Sequence, residues 1–341
     1  MLVQDFDYVL PEELIAQTPL KERDQSRLLV YHRETGDIQH RIFSDVIDYL
    51  RPEDCLVLND TRVLPARLLG HKCGSGGNVE FVLLKDLGDN CWEAMVNPGR
   101  RLGEGCEVEF GDGLLKATIL KRLEEGTRLV RFEYDGIWQE VLDRVGIMPL
   151  PPYIHARLQD RERYQTVYSR INGSAAAPTA GLHFTKPLLE RIAAKGTAIA
   201  YTTLHVGLGT FRPVKAEAVQ EHKMHTEHFI MTEETAATIN ARKQAGGRIV
   251  AVGTTSCRVL ETVSDADGVI HPMEGDTGIF IYPGYTFKAV DALITNFHLP
   301  KSTLLMLISA FAGKDEVMRF YNEAIAQRYR FFSFGDACLL L

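Results

Sequence analysis

Apolar and polar positions divide the chain into three textures. In residues 1–60 they are mixed: Pro11 to Gln17 has the character of a helix start, RLLVY (27–31) reads as a strand, and Phe43 to Leu50 carries apolar residues at amphipathic-helix spacing. CLVL (55–58) then reads as a short buried strand ending on the polar Asn59-Asp60-Thr61-Arg62. From about Arg62 to Asp135 the period shortens. The runs VEFVLL (79–84), CWEAMV (91–96), CEVEF (106–110), LLKATIL (114–120) and RLVRFEY (128–134) are separated by the turn clusters GSGG, DLGDN, PGRRLGEG, GDG and EEGT. Short strands with glycine-rich turns predict a small antiparallel barrel or sandwich.

Beyond Pro149-Leu150-Pro151-Pro152 the pattern changes again. Helices are expected over 188–194, over 233–244 behind a Thr232 cap, from Thr255 to Glu261, and over 303–312 and 315–328. Between them AIAYTTLHV (198–206), RIVAVG (248–253), IFIY (279–282) and ALITNF (292–297) read as strands. Alternating β and α predicts an α/β fold with a mostly parallel sheet and helices on both faces. Residues 1–60 share this texture. The expected organisation is therefore a discontinuous α/β catalytic domain, 1–61 and 150–341, interrupted by an inserted small antiparallel β-barrel domain at 62–149.

With 341 residues, 45% hydrophobic and 24% charged, the composition excludes disorder, collagen and coiled coil and leaves room for two domains. The net charge of -7 argues against a bulk nucleic-acid binder but not against a local basic patch. Six cysteines, at 55, 73, 91, 106, 257 and 338, form no C-x-x-C pair and read as reduced thiols. The N-terminus lacks a basic region before an apolar stretch, and the apolar run Leu304 to Ala312 is far shorter than the roughly 20 residues a spanning helix needs. A soluble, cytoplasmic protein with no membrane partner is expected.

Ligands of open α/β sheets settle where strands end and helices begin, which directs attention to the strand-end loops. Gly253-Thr254-Thr255-Ser256-Cys257-Arg258 offers backbone N–H groups, hydroxyls and an arginine for a phosphate, carboxylate or ribose, with simple helix capping as the even alternative. His205 precedes Gly207 and Gly209, but position 212 is Arg, so the dinucleotide fingerprint is missing and a tight turn is the plainer reading. His298, in Asn296-Phe297-His298, suits an acid or base as well as a structural role. The segment from Gly173 to Thr185 gathers small residues ahead of His183, as close packing against a flat ligand or another backbone requires.

Two further groups carry charge. His222, His225 and His228 suggest a metal, although the following strand pattern would split them between faces. Arginines interleaved with tyrosines at Arg157, Arg163, Tyr164, Tyr168 and Arg170 are the best local candidate for nucleic acid, with Arg100 and Arg101 a weaker second.

Taken in order, FDYVLPEELIAQTPLKERDQSRLLV (6–30), LNDTRVLPARL (58–68), LPPYI (150–154), YQTVYS (164–169), GSAAAPTAGLHFT (173–185), LHVGLGTFRPV (204–214), HKMHTE (222–227), RIVAVGTTSCRVLE (248–261), FIYPGYTF (280–287), LITNFHLPKSTLLMLISAFAG (293–313) and YRFFSFGDACLLL (329–341) strongly resemble the S-adenosylmethionine:tRNA ribosyltransferase-isomerase family of queuosine biosynthesis. The match is thinnest across about 70–140. The resemblance implies an α/β domain with an inserted β-barrel. It also implies transfer and isomerisation of the ribosyl unit of S-adenosylmethionine onto 7-aminomethyl-7-deazaguanine at the tRNA wobble position, giving epoxyqueuosine-tRNA, adenine and methionine. S-adenosylmethionine would be a ribosyl donor, with no further cofactor and no metal, and the protein a monomer.

That chemistry suggests His183, His205 and His298 for proton transfer and Asp60 or Glu227 as base or orienting carboxylate. Thr254, Thr255, Ser256 and Arg258, with Gly207 and Gly209, would hold the donor, and Arg157, Arg163, Tyr164, Tyr168 and Arg170 the tRNA. Two rivals remain: a non-catalytic tRNA-binding module, and a metal-dependent hydrolase built on His222, His225 and His228.

Overall fold

The computed structural model describes the chain except residues 124–125, 157, 208–213 and 215. It divides into two compact units: residues 1–61, 151–171 and 177–341, and residues 62–150 with 172–176.

The first unit is built on a nine-stranded sheet. Its strands are β1 (Arg27–Tyr31), β2 (Ile38–Ile42), β3 (Cys55–Asn59), β4 (Ala198–Leu204), β5 (Glu227–Met231), β6 (Ile249–Val252), β7 (Met273–Thr277), β8 (Ala292–Asn296) and β9 (Ala337–Leu340). They lie in the order β7-β5-β4-β3-β6-β8-β9-β1-β2. The sheet is mixed. β4, β3, β6 and β8 run parallel, β9 lies antiparallel to β8 and parallel to β1, and β2, β5 and β7 are antiparallel additions.

Every residue of β3, β6 and β8 is buried, as continuous apolar runs in a doubly covered parallel sheet should be. Alternate residues face opposite sides. Leu28, Val30, Leu56, Leu58, Val250, Val252, Ile294 and Leu339 pack with Leu188, Leu189 and Ile192 of helix α1 (Lys186–Ala194). On the opposite face Tyr31 meets Phe320 of a C-terminal helix, Lys314–Ala326, with ring centroids 5.2 Å apart. Thr185 caps α1 and Thr232 caps helix α2 (Glu233–Gln244), each accepting from the backbone N–H three residues on.

Helix α3 (Gly253–Val263) starts two residues earlier than expected. Gly253 opens it at φ +83°, a conformation that favours glycine, so the chain turns directly out of β6 into the helix. Two local expectations fail. The Pro11–Gln17 helix is a single 3-10 turn, Glu12–Leu14. IFIY forms no strand; strand β7 precedes it, while Phe280 turns to meet His222 and Tyr282.

The second unit is a closed antiparallel barrel of six strands at 67–72, 78–86, 91–97, 107–110, 115–122 and 128–134. Strand Arg67–Lys72, which the sequence pattern did not single out, closes it by pairing Gly70 with Phe110. Gly70 is obligatory, because a Cβ there would collide with the Glu109 carbonyl and the Phe110 ring. Phe81, Phe110 and Phe132 fill the interior. Among the described residues no helix is long and apolar enough to cross a membrane.

The approach to the central strands is fixed by one carboxylate. Asp54 accepts from the backbone N–H groups of Arg51 and Arg248 and pairs with the Arg248 guanidinium at 2.7 Å. Asp54→Ala leaves that guanidinium without its partner and should cost about 3 kcal/mol, read as a lower urea midpoint at unchanged m-value. An unchanged midpoint would show that the pair contributes no net stability.

Candidate active site

Because β4, β3, β6 and β8 are parallel, their carboxyl ends fall on one edge of the sheet, and the polar groups excluded from the strands gather there. Asn59-Asp60-Thr61 joins two of those ends. The Asn59 side chain exchanges hydrogen bonds with the backbone of Leu204, donating to its carbonyl and accepting from its N–H, each at 3.0 Å. Asp60 accepts from Thr203 Oγ1 and from Arg170 Nε, each at 2.7 Å. Thr61 Oγ1 lies 2.8 Å from His205 Nδ1.

Beside this clamp lies an open cleft. Ala177 to Ala180, Val206, Gly253 to Thr255 and Thr295 to Leu299 line it, with Tyr153, Phe332 and Ser333 opposite. Gly253, Thr254 and Thr255 thus place the N-terminal turn of α3 in the wall of the cleft. Phe332 adopts φ +70°, a costly conformation for a bulky residue. Its ring centroid lies 4.8 Å from that of Tyr153, whose hydroxyl is 2.7 Å from Ser333 Oγ.

Asn296 organises the buried end. Its Nδ2 donates to the Phe332 carbonyl at 3.1 Å and to His183 Nε2 at 3.2 Å, which leaves the ring proton of His183 on Nδ1, 2.7 Å from Ser26 Oγ. The Asn296 Oδ1 and Thr255 Oγ1 atoms are buried without a partner. Burial, reinforced by the charges of Arg23 and Arg330, pushes His183 down to about 3. Burial alone does the same to His298, whose Nε2 sits 2.9 Å from Thr295 Oγ1. His205 falls to about 4 through burial and the neighbouring His228. All three are neutral imidazoles at neutral pH.

Glu227 and Arg258 form a second buried centre behind this edge. The Glu227 carboxylate pairs with the Arg258 guanidinium and accepts from Gly207 N at 2.8 Å, with His225 Nε2 at 3.1 Å. Burial pushes Glu227 upward, but the charge of Arg258 and the hydrogen bond from His225 outweigh it and hold the acid at about 2.

The sequence candidates therefore separate. Thr254, Thr255 and His298 line the cleft; His183 and His205 stand just outside it, His183 bonded to the lining Asn296 and His205 next in the chain to the lining Val206. Asp60 is engaged by Thr203 and Arg170, and Glu227 by Arg258. Ser256 is completely buried and does not line the cleft. Arg258 is committed to Glu227 rather than pointing to a ligand in the cleft. Gly209 and Arg157 lie outside the described residues.

Tyr164 is fully buried against Phe334 and has no face for a base. Tyr168 has its hydroxyl sealed against Gly181, and Arg163 binds the Leu20 and Lys21 carbonyls. Arg170 keeps 63% of its side chain exposed. The three histidines suggested for a metal have separate partners: His222 meets Phe280, His225 meets Glu227, and His228 meets Asp276 and Glu274. Among the described residues no three His, Cys, Asp or Glu side chains are placed to hold a metal ion.

Asn296, Ser26, Phe332 and Ser333 did not stand out in the sequence. An amide closing a buried strand, as Asn296 closes ALITN, is the one signal that pointed there.

The family model described as queuosine biosynthesis protein matches residues 3–340. The chain belongs to this family. Relatives from Acetivibrio thermocellus and Symbiobacterium thermophilum are 62% and 60% identical, and one from Clostridioides difficile 56%, each covering 100% of both chains. All three are named S-adenosylmethionine:tRNA ribosyltransferase-isomerase. The crystal structure of S-adenosylmethionine tRNA ribosyltransferase from Thermotoga maritima is 40% identical, with a TM-score of 0.55, over 99% of this chain and 100% of that one.

Glu227 titrates at about 2 in the fold and near 4.3 when unfolded. Its contribution is complete above about pH 4.5 and is lost as the pH falls toward 2. Glu227→Gln, which leaves Arg258 buried without a counter-charge, should destabilise by about 3 kcal/mol at pH 7. The urea midpoints of variant and parent should converge between pH 4.5 and 2.5; curves that stay parallel would overturn this assignment.

Proposed function

We propose that the chain transfers and isomerises the ribosyl moiety of S-adenosylmethionine onto 7-aminomethyl-7-deazaguanine at the wobble position of tRNA, releasing adenine and methionine. The observation that carries the reading is the cleft, where aromatic Phe332 and Tyr153, the N-terminus of α3 and the neutral His298 line one space. The sulfonium of the donor acidifies the ribose C5′–H. A base removes that proton, the ring opens, and adenine departs with a proton supplied to it. The neutral aminomethyl group attacks C1′, and a ribosyl oxygen then displaces methionine to close the epoxide.

Of the three histidines only His298 lines the cleft, so we assign it the proton-transfer role. A neutral imidazole tolerates a sulfonium beside it, whereas an imidazolium would be repelled. His183 and His205 act as positioning residues, His183 by holding Asn296 and His205 through Thr61. Thr254 and Thr255 receive the ribose or methionine carboxylate, and Arg170 contacts the RNA. We invoke no cofactor beyond the donor, no metal, a cytoplasmic location and a monomer.

Incubation with S-adenosylmethionine and tRNA bearing 7-aminomethyl-7-deazaguanine should release adenine and shift the nucleoside mass to that of epoxyqueuosine. Methyl transfer, or tRNA left unchanged, defeats the proposal. His298→Ala should lower kcat about 100-fold or more, and Phe332→Ala should raise the KM for the donor about tenfold with tRNA affinity retained. Full turnover in the His298 variant would remove that residue from the chemistry.

A further inference from the structure

A second, smaller recess adjoins the cleft, and Ser333 lines both. Its walls are Pro19, Leu20, Arg23, Ser26, Arg163, Leu182, His183 and Ser333 to Gly335, with no acidic side chain among them. Arg330 stands close enough that its charge, with that of Arg23, depresses His183. Arg23 and Arg163 therefore line the recess, with Arg330 acting on its His183, on a chain of net charge -7.

Their hydrogen bonds do not neutralise them. Arg23 donates to the Leu182 and Glu162 carbonyls, Arg163 to those of Leu20 and Lys21, and Arg330 to that of Thr18. Backbone carbonyls satisfy donors but carry no net charge. Among the described residues none of the three forms an ion pair. Asp160 and Glu162 act on Arg23, and Asp336 on Arg330, only from farther away, and both carboxylate oxygens of Asp336 are taken by the backbone N–H groups of Arg27 and Arg330. Arg163 Nε and Arg330 Nη1 remain buried donors without an acceptor. Half-buried cations left in this state are costly unless an anion joins them.

We infer that this recess binds one phosphodiester of the tRNA, through Arg23 and Arg163. The inference rests on the reaction proposed above and places RNA backbone one hydrogen bond from the donor cleft, through His183 and Asn296. Planar guanidiniums with several donors suit phosphate oxygens. The methionine end of the donor fits less well, because its ammonium would meet two guanidiniums and no carboxylate in the lining.

The test is equilibrium binding of the full chain to tRNA bearing 7-aminomethyl-7-deazaguanine across a range of salt, with S-adenosylmethionine binding measured separately. Arg23→Gln should weaken tRNA binding about tenfold and reduce the slope of log Kd against log salt by about 0.7–0.9, the loss of one phosphate contact. Arg23→Lys, which keeps the charge, should retain the slope, and so separates charge from loop damage. An unchanged slope in Arg23→Gln, or weakened donor binding with unchanged tRNA binding, overturns the inference. If the parent binds tRNA yet releases no adenine, the proposed reaction fails while the salt slope still decides the recess.

Discussion

Strands β3, β6 and β8 are buried along their whole length, and that constraint governs where chemistry can occur. A strand covered on both faces cannot carry an unpaired polar side chain without a cost of several kcal/mol. Polar residues are therefore displaced to the strand ends. Since neighbouring parallel strands end on the same side, Asn59, His205, Gly253 and Asn296 are delivered to one edge although they are far apart in sequence.

At that edge polar side chains act mainly as struts. Asn59 ties the end of β3 to the end of β4, and Asn296 ties β8 to the turn bearing Phe332. The left-handed backbone of Phe332 is maintained by these bonds, since its N–H also donates to the Phe297 carbonyl. Burial keeps the histidines of the edge neutral, which makes them hydrogen-bonding parts before they are acids or bases. Glu227 and Arg258 offset one another's charge deeper down, although Arg258 Nε and Nη1 are buried without an acceptor.

Much of this was legible from residue order. Turn clusters marked the barrel strands because a hairpin needs glycine or a polar turn residue at each reversal. The capped helices at 233–244 and 303–312 were legible from Thr232 and from apolar periodicity. IFIY misled because four apolar residues describe any buried extended segment, whether or not a neighbouring strand is free to pair with it. Arg67–Lys72 escaped because its alternation is broken by Gly70, which is there to clear the Phe110 ring. Tyr164 looked like a stacking residue because a tyrosine among arginines carries no mark of the Phe334 ring that covers it.

Periodicity and composition by themselves determined most element types and the inserted barrel, because those depend on side chains only a few residues apart. The motifs determined the family. Only the tertiary structure decided which loop ends meet. The C-terminal strand β9 enters between β8 and β1, the segment before it places Phe332 and Ser333 at the cleft, and arginines 23 and 163 meet at one recess. Sheet order and long-range burial arise from packing the whole chain at once, and no local pattern encodes them.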